Sequence, residues 1–215
     1  MTIYHIKKIT GLSIILSLGL SLLFFMPALF FPKGIINIFS NDPAVVKLTS
    51  EYFMIIVFSY PLTSISTMFS MSSRSIRNPK LGMICSSIAL VCNIILNYLL
   101  IFGNLGFPAL GVKGAAIATL IARILEFMLI VGYVYIHKKD YVLKFNINHL
   151  KEIDIEFLRN FLSKSMPVFI NDATWALGSV LYSVAYAMAG TSAIAASQIA
   201  SSTGNFFIIT SICIG

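Results

Sequence analysis

The chain has 215 residues, of which 58% are hydrophobic and only 11% are charged, with a mean hydropathy of +0.90. A soluble domain carries about a quarter charged residues and still needs a polar surface, so this composition excludes a soluble globular protein and indicates a lipid environment. The net charge of +7 does not indicate nucleic-acid binding, because the basic residues lie between long apolar runs and not on one basic face.

Six apolar runs follow one another along the chain, and each is long enough to cross a bilayer core of about 30 Å as a helix. We predict transmembrane spans at residues 9–32, 52–73, 81–102, 111–136, 166–189 and 191–215. The first run follows two lysines, as a signal peptide does, but it is too long for one and no small-residue cleavage site follows it. The pattern therefore predicts an all-α polytopic helical membrane protein.

The connections between the first four spans are short and rich in turn residues. Asp42 is a plausible N-cap with Pro43 at the first helical position. Pro61 lies inside the second span and is expected to kink it. Asn78-Pro79 is a helix stop, and the glycines and proline of residues 102–111 predict a loop that returns the chain to the membrane.

The long connection at residues 137–164 contains the segment "DIEFLRNFLSKS". Its apolar side chains Ile155, Leu158, Phe161 and Leu162 share one helical face. Such a pattern predicts a short amphipathic helix on the membrane surface.

The positive charges predict the orientation of the chain in the membrane. One set of loops carries eleven of the fifteen Lys and Arg residues, and the opposite set carries Lys33, Lys47 and Lys113. Because Lys and Arg are enriched in cytoplasmic loops, we place the N-terminus of the chain and the long loop in the cytoplasm.

Several stretches of the sequence resemble one transporter family. Residues 93–126, "NIILNYLLIFGNLGFPALGVKGAAIATLIARILE", are similar to the multidrug and toxic compound extrusion (MATE) transporters, as are "YFMIIVFSYP" at residues 52–61 and the later Arg74 and Pro79. Residues 167–200, which begin "PVFINDATWALGSV", resemble the start of that family's second half. Asp172 stands where the family more often has a glutamate before its x-x-W.

The resemblance implies a two-lobe, twelve-helix fold, of which this chain would hold the third to eighth helices. Residues 1–136 would be the end of the N-terminal lobe with four spans, residues 137–164 the cytoplasmic inter-lobe loop, and residues 165–215 the start of the C-terminal lobe. The chain is accordingly expected to be a fragment that lacks the remainder of its own protein. Whether such a fragment is biological or an incomplete record stays open.

Asp172 is the sharpest candidate for a functional residue. It lies seven residues after Ser165, or about 10 Å along a helix, too deep for its short side chain to reach the surface. Acidic residues inside spans are costly and mostly functional, so Asp172 is a candidate coupling-cation site for Na⁺ or H⁺, with Asn171 beside it. The alternative is a polar residue near a helix end that bonds to Asn171 or to a neighbouring helix.

Other polar or aromatic residues are candidates for a substrate cavity. Trp175 lies three residues after Asp172 and on the same face, which suits an organic cation through cation–π attraction. Gln198 and Asn97 are also assigned to the cavity. The competing interpretations are a packed core tryptophan and hydrogen bonds between helices, with Asn93 and Asn97 one turn apart.

The remaining signals are structural. Arg123 and Glu126 stand at i, i+3 inside the fourth span and are expected to form a structural charge pair, and Lys47 is expected to pair with Glu51. Gly114, Ala118 and Ala122 form a stripe of small residues that lets another helix approach closely. Three cysteines lie apart in apolar segments and are interpreted as packing residues: Cys85, Cys92 and Cys213.

By family resemblance, the expected function is export of organic, often cationic, drugs across the cell membrane by antiport with Na⁺ or H⁺. No enzyme motif is evident, and no cofactor or metal is expected beyond the coupling ion, with Na⁺ at Asp172 as the one possible metal. A lipid-linked oligosaccharide flippase of the same superfamily is the first alternative, although Arg123 is the only cation deep in a span. A non-functional truncated membrane protein is the second alternative.

Overall fold

The computed structural model describes residues 3–39, 42–136 and 154–214, which form eight α-helices and one short 3-10 helix at Asn104–Gly106. No strand occurs within these three ranges. The α-helices are α1 Ile3–Phe30, α2 Pro32–Asn37, α3 Pro43–Ile56, α4 Ser59–Ser75, α5 Pro79–Phe102, α6 Val112–Ile136, α7 Ile155–Met188 and α8 Thr191–Ile214.

Three of the described helices are long and apolar enough to cross a membrane: α1 from Ile6, α5 and α6. Helices α3 and α4 make a fourth span if the bent pair is one segment. These four elements agree with the first four predicted spans. Helices α7 and α8 are long enough to cross a membrane, but their described residues are not among the stretches apolar enough to do so, and the fifth and sixth spans stay predictions.

The second span is bent by 52° between α3 and α4, close to Pro61. Proline has no N–H to donate to the carbonyl four residues earlier, which here belongs to Val57. That carbonyl instead accepts a hydrogen bond from the N–H of Tyr60 at 3.1 Å. The kink predicted at Pro61 is therefore confirmed.

Local sequence signals also fix the starts of α3 and α5. The Asp42 side chain accepts a hydrogen bond from the Ala44 N–H at 2.9 Å, with Pro43 at the first helical position. Helix α4 ends at Ser75, and α5 begins at Pro79 directly after Asn78. The predicted N-cap at Asp42 and the predicted helix stop at Asn78-Pro79 are both confirmed.

Helix α6 packs along α5 through the small residues of its N-terminal half. A Cβ atom on Gly114 would overlap the backbone carbonyl of Leu100, and Ala118 and Ala122 are buried. The turn before α6 closes with a hydrogen bond from the Leu110 N–H to the Leu100 carbonyl at 2.9 Å. The predicted role of this stripe in close packing is confirmed.

An apolar core forms where α1, α4, α5 and α6 meet. It consists of Ile14, Phe69, Leu81, Cys85, Ile130 and Val134. Cys85 is buried in this core, as expected of a packing residue, and Cys92 is half-buried. The side chain of Cys213 lies outside the described part.

At the predicted outer side of the membrane, the ion pair differs from the expected one. Glu51 of α3 lies 3.6 Å from the Lys113 ammonium at the start of α6. The pairing expected from i, i+4 spacing alone was with Lys47. Because α6 packs against α3, a lysine that is distant in sequence takes that place.

Helix α7 runs without interruption from Ile155 to Met188, and Pro167 lies inside it. The segment expected as a separate surface helix forms the first turns of this long helix. The predicted boundary between residues 164 and 165 falls inside α7, and residues 137–153 lie outside the described ranges. The division into lobes stays a prediction.

Helix α7 has no buried residue and packs with α8. Its hydroxyl side chains bond back to the carbonyls one turn earlier. Thr174 donates to Ile170 at 2.7 Å, Ser179 to Trp175 at 3.0 Å and Ser183 to Ser179 at 2.9 Å. The backbone carbonyls of α7 thereby accept the hydrogen bonds of these three hydroxyl groups.

Candidate functional site: polar cavities between the apolar helices

A buried carboxylate lies between α5 and α6. Glu126 is only 7% exposed, and each of its two oxygens accepts a hydrogen bond. Arg123, one turn earlier on α6, donates to Oε2 at 2.7 Å, and the Ser86 hydroxyl of α5 donates to Oε1 at 2.5 Å. A carboxylate in an apolar span needs such partners, because an unpaired charge there is costly.

This ion pair borders a cavity of about 300 Å³ between α5 and α6, here called the α5–α6 cavity. Its polar lining residues are Ser86, Asn93, Thr119, Arg123 and Glu126. Helix α6 places Thr119, Arg123 and Glu126 on the lining because they are three or four residues apart.

An amide network continues from this cavity toward the opposite end of α5. The Asn97 side-chain amide donates to the side-chain Oδ1 of Asn93 at 3.0 Å, and the Asn93 amide donates to the Thr119 hydroxyl at 3.4 Å. The Asn97 Oδ1 atom is buried and has no hydrogen-bond partner among the described residues. Asn93 therefore joins α5 to α6, Asn97 bonds to Asn93 within α5, and one acceptor of Asn97 stays unused.

A second cavity, here called the hydroxyl cavity, lies among α1, α4 and α6 and has a volume of about 560 Å³. Its polar lining includes Ser17, Ser21, Tyr60, Thr63, Ser64 and Thr67. Thr119 and Arg123 also line it, so these two side chains separate the two cavities. The bend at Val57 shapes one wall, since Ile56 and Ser59 border the cavity on either side of it.

The predicted cation site lies on α7, which does not line either of the two cavities. Asp172 is exposed on α7, and Asn171 donates to its Oδ1 at 3.4 Å. Trp175 is 77% exposed, and Gln198 is exposed on α8. In the part of the chain described, α7 and α8 pack on each other and not along α5, so these residues are not brought together with Asn97. Their assigned roles stay predictions.

Metal-ligating side chains do not converge in the described ranges: no group of three His, Cys, Asp or Glu residues forms there. Within those ranges, the oxygen-rich places are the Asn171–Asp172 pair and the walls of the two cavities.

Sequence reasoning missed Ser86 and the hydroxyl cavity. Ser86 lies 40 residues from Glu126, so no local spacing connects them. The hydroxyl cavity left a weak signal, since the second span is rich in Ser and Thr. Such residues in a span also serve as interhelical hydrogen-bonding groups, so composition alone does not indicate a cavity.

Comparison with known proteins finds similar sequences in one family. Residues 3–99 match the MatE family model. The chain is 27% identical over 181 residues to "Probable multidrug resistance protein NorM" of Mannheimia succiniciproducens, an alignment that covers 84% of the chain. The chain is thus similar to MATE proteins over most of its length.

Further relatives come from distant bacteria. The chain is 28% identical over 166 residues to "Probable multidrug resistance protein NorM" of Thermotoga maritima, an alignment that covers 77% of the chain. It is 25% identical over 169 residues to "Probable multidrug resistance protein YoeA" of Bacillus subtilis, which covers 78% of it. The alignments span 35–39% of the length of these three relatives.

The fold agrees with these relationships. The structure of the chain matches a solved structure described as an inward-facing conformation of a multidrug resistance MATE family transporter of the MOP superfamily. The TM-score is 0.61 at 19% identity, and the match covers 87% of this chain and 43% of the other. The all-α polytopic membrane fold is thus established.

Proposed function

We propose that the chain is part of a cation-coupled antiporter that exports organic, often cationic, compounds across the cell membrane by alternating access. The observation that carries the proposal is the alignment of 77–84% of the chain with relatives named as multidrug resistance proteins. Polar cavities bordered by apolar helices support it, since transported solutes bind between the helices of such folds.

In this proposal Asp172 holds the coupling cation. In the sequence, Asp172 is the only Asp or Glu after Glu156, and it lies within an otherwise apolar stretch. A carboxylate in that setting either takes up a proton or binds Na⁺ with nearby amide oxygens, and Asn171 supplies an amide at the adjacent position. A change in the charge of Asp172 then alters its attraction for a cationic substrate.

Trp175 supplies the substrate contact in the same proposal. The α-helical spacing of Asp172 and Trp175 places both on one face of α7. An indole ring beside a carboxylate binds an organic cation by cation–π attraction together with charge. The exposed ring of Trp175 is accessible to such a ligand.

The test uses the complete natural protein reconstituted in vesicles, with efflux of a fluorescent organic cation driven by an imposed Na⁺ or pH gradient. We expect Asp172→Asn to abolish gradient-driven efflux, because the neutral amide cannot exchange a cation. Glu156→Gln, in the exposed first turn of the same helix, is the matched control and should leave efflux unchanged. Normal efflux by a well-inserted Asp172→Asn protein would contradict the proposed role.

A further inference from the structure

The hydroxyl cavity combines one cation with many neutral donors. Arg123 is the only charged residue in its lining, and none of the lining residues is a carboxylate. Ser59 and Thr119 already donate to backbone carbonyls of their own segments, whereas Tyr60, Thr63 and Thr67 make no such bond in the described part of the chain. Free hydroxyls donate to an acceptor that enters, and a guanidinium prefers an anion. The lining thus has the opposite character from the acidic site expected for an organic cation.

Arg123 is held in a way that leaves donors available to the cavity. A guanidinium has five N–H groups, and one of them is donated to Glu126. The Arg123 side chain remains 45% exposed and lines the hydroxyl cavity as well as the α5–α6 cavity. Ser86 bonds to the other oxygen of Glu126, which fixes the carboxylate and with it the arginine.

Two hydroxyls on α1 support the interpretation as a binding site. The Ser17 Oγ lies 2.6 Å from the Ser64 Oγ, so this pair fixes α1 against α4 at the cavity wall. The Ser21 Oγ, one turn further along α1, is buried and has no hydrogen-bond partner in the described part of the chain. A buried hydroxyl is normally satisfied, so Ser21 indicates a partner that enters the cavity.

From these observations we infer that the hydroxyl cavity binds the headgroup of a singly charged anionic amphiphile, a phosphate diester or a carboxylate, with Arg123 as its anchor. The volume of about 560 Å³ lies within the range of ligand pockets. Leu20, Phe24 and Met68 on the lining provide apolar contacts for the adjoining chain. One arginine that already shares its charge with Glu126 suits one negative charge and not a pyrophosphate.

This inference goes beyond the proposed export function and does not depend on Asp172. The site involves α1, α4 and α6, whereas the proposed cation site lies on α7. Anion binding should therefore persist in the Asp172→Asn protein, even if that variant no longer exports. Loss of export and loss of anion binding are separate outcomes that the same preparations distinguish.

Calorimetric titration of the complete protein in a neutral detergent tests the site. The probes are dihexanoyl phosphatidylglycerol, its zwitterionic phosphatidylcholine counterpart, decanoate and inorganic phosphate. We expect the phosphatidylglycerol probe or decanoate to bind at least tenfold more tightly than the phosphatidylcholine probe. Preference for phosphatidylglycerol would identify a membrane lipid as the source, and preference for decanoate a free amphiphilic acid. Equal binding of anionic and zwitterionic probes, or binding of inorganic phosphate alone, would overturn the proposal.

Variants connect the binding to Arg123. Arg123→Gln should reduce the affinity for the preferred probe at least tenfold, and Arg123→Lys should restore it only in part, because a lysine lacks the bidentate fork. Lys113→Gln, at the outer end of the same helix, is the control for net charge and should bind normally. If Arg123→Gln does not fold, Ser64→Leu keeps the charge pair and fills the cavity. Unchanged affinity in a folded Arg123→Gln or Ser64→Leu protein would contradict the assignment.

Discussion

Gly114 of α6 lies so close to the carbonyl of Leu100 in α5 that no side chain fits between them. This contact sits beside the turn that joins the two helices, where the Leu110 N–H also bonds to Leu100. The position of Gly114 sets the distance between α5 and α6. The buried Glu126 and its partner Ser86 depend on that distance, since they come from these two helices.

Gly114→Ala is expected to destabilise the protein by about 1–3 kcal/mol, because the added methyl group must push the helices apart. Gly132→Ala is the matched control on the same helix, where no atom lies within 4 Å of the position that a Cβ would take. There the better helix propensity of alanine should stabilise by about 0.5–1 kcal/mol. Thermal or denaturant unfolding in detergent measures both, and equal effects of the two changes would contradict the close-packing explanation.

The two described ion pairs should differ in strength. Arg123 and Glu126 meet at 2.7 Å with the carboxylate buried, whereas Lys113 and Glu51 are 3.6 Å apart and both partly exposed. A double-mutant cycle to glutamine should give a coupling of about 1–2 kcal/mol for the first pair and below about 0.5 kcal/mol for the second. A first coupling no larger than the second would show that solvent reaches Glu126.

Glu126→Ala alone should cost more than that coupling. The change leaves Arg123 without its carboxylate partner and the Ser86 hydroxyl without its acceptor. Breaking a buried pair from one side costs about 3–5 kcal/mol, and the partial exposure of Arg123 places this case at the lower end. Unfolding of Glu126→Ala beside Glu51→Ala gives the comparison, and similar losses would count against the buried pair.

Pro61→Ala should straighten the second span. The restored N–H at residue 61 can bond to the Val57 carbonyl, which removes the reason for the bend of 52°. Spin labels placed at residues 47 and 74, with the native cysteines replaced, should then move apart by about 4 Å. Pro79→Ala is the control, because proline at a first helical position leaves no intrahelical bond missing. An unchanged distance in Pro61→Ala would assign the bend to packing instead.

Asn93→Ala should loosen the contact between α5 and α6. The change removes the acceptor for Asn97 and the donor to Thr119, and hydrogen bonds between membrane helices contribute about 0.6 kcal/mol on average. We expect a loss of about 1 kcal/mol in the free energy of unfolding. Asn104→Ala, whose bond to the Tyr98 carbonyl is exposed, should change stability little. Equal losses would indicate that the network is solvated.

Prolines show how far local rules extend. Pro61 breaks its span, yet Pro27 and Pro167 lie inside continuous helices. The same missing N–H is present in all three, so the outcome depends on the packing of each helix, which sequence rules do not contain. This is why the kink at Pro61 was predictable, whereas the continuation of the helix from residue 155 through Pro167 was not.

In the candidate site too, some contacts follow from local spacing and others depend on how distant helices pack. The contact between Arg123 and Glu126 follows from a spacing of three residues, as does the contact between Asn93 and Asn97 from a spacing of four. Ser86 and Lys113 reach their partners only because distant helices meet. Asp172 was conspicuous by its charge, but a charge in an apolar run does not specify which helix faces it.

The hydroxyl-to-carbonyl bonds of α7 affect how that helix enters a membrane. A hydropathy scale counts each Ser and Thr as a group that must lose its water, and by this measure α7 falls short of a span. Three of these hydroxyls donate to backbone carbonyls of their own helix and so do not need water as an acceptor: Thr174, Ser179 and Ser183. The main polar groups that still oppose membrane insertion of α7 are then Asp172 and Asn171. They are adjacent, so the cost of insertion is concentrated at one depth of the helix.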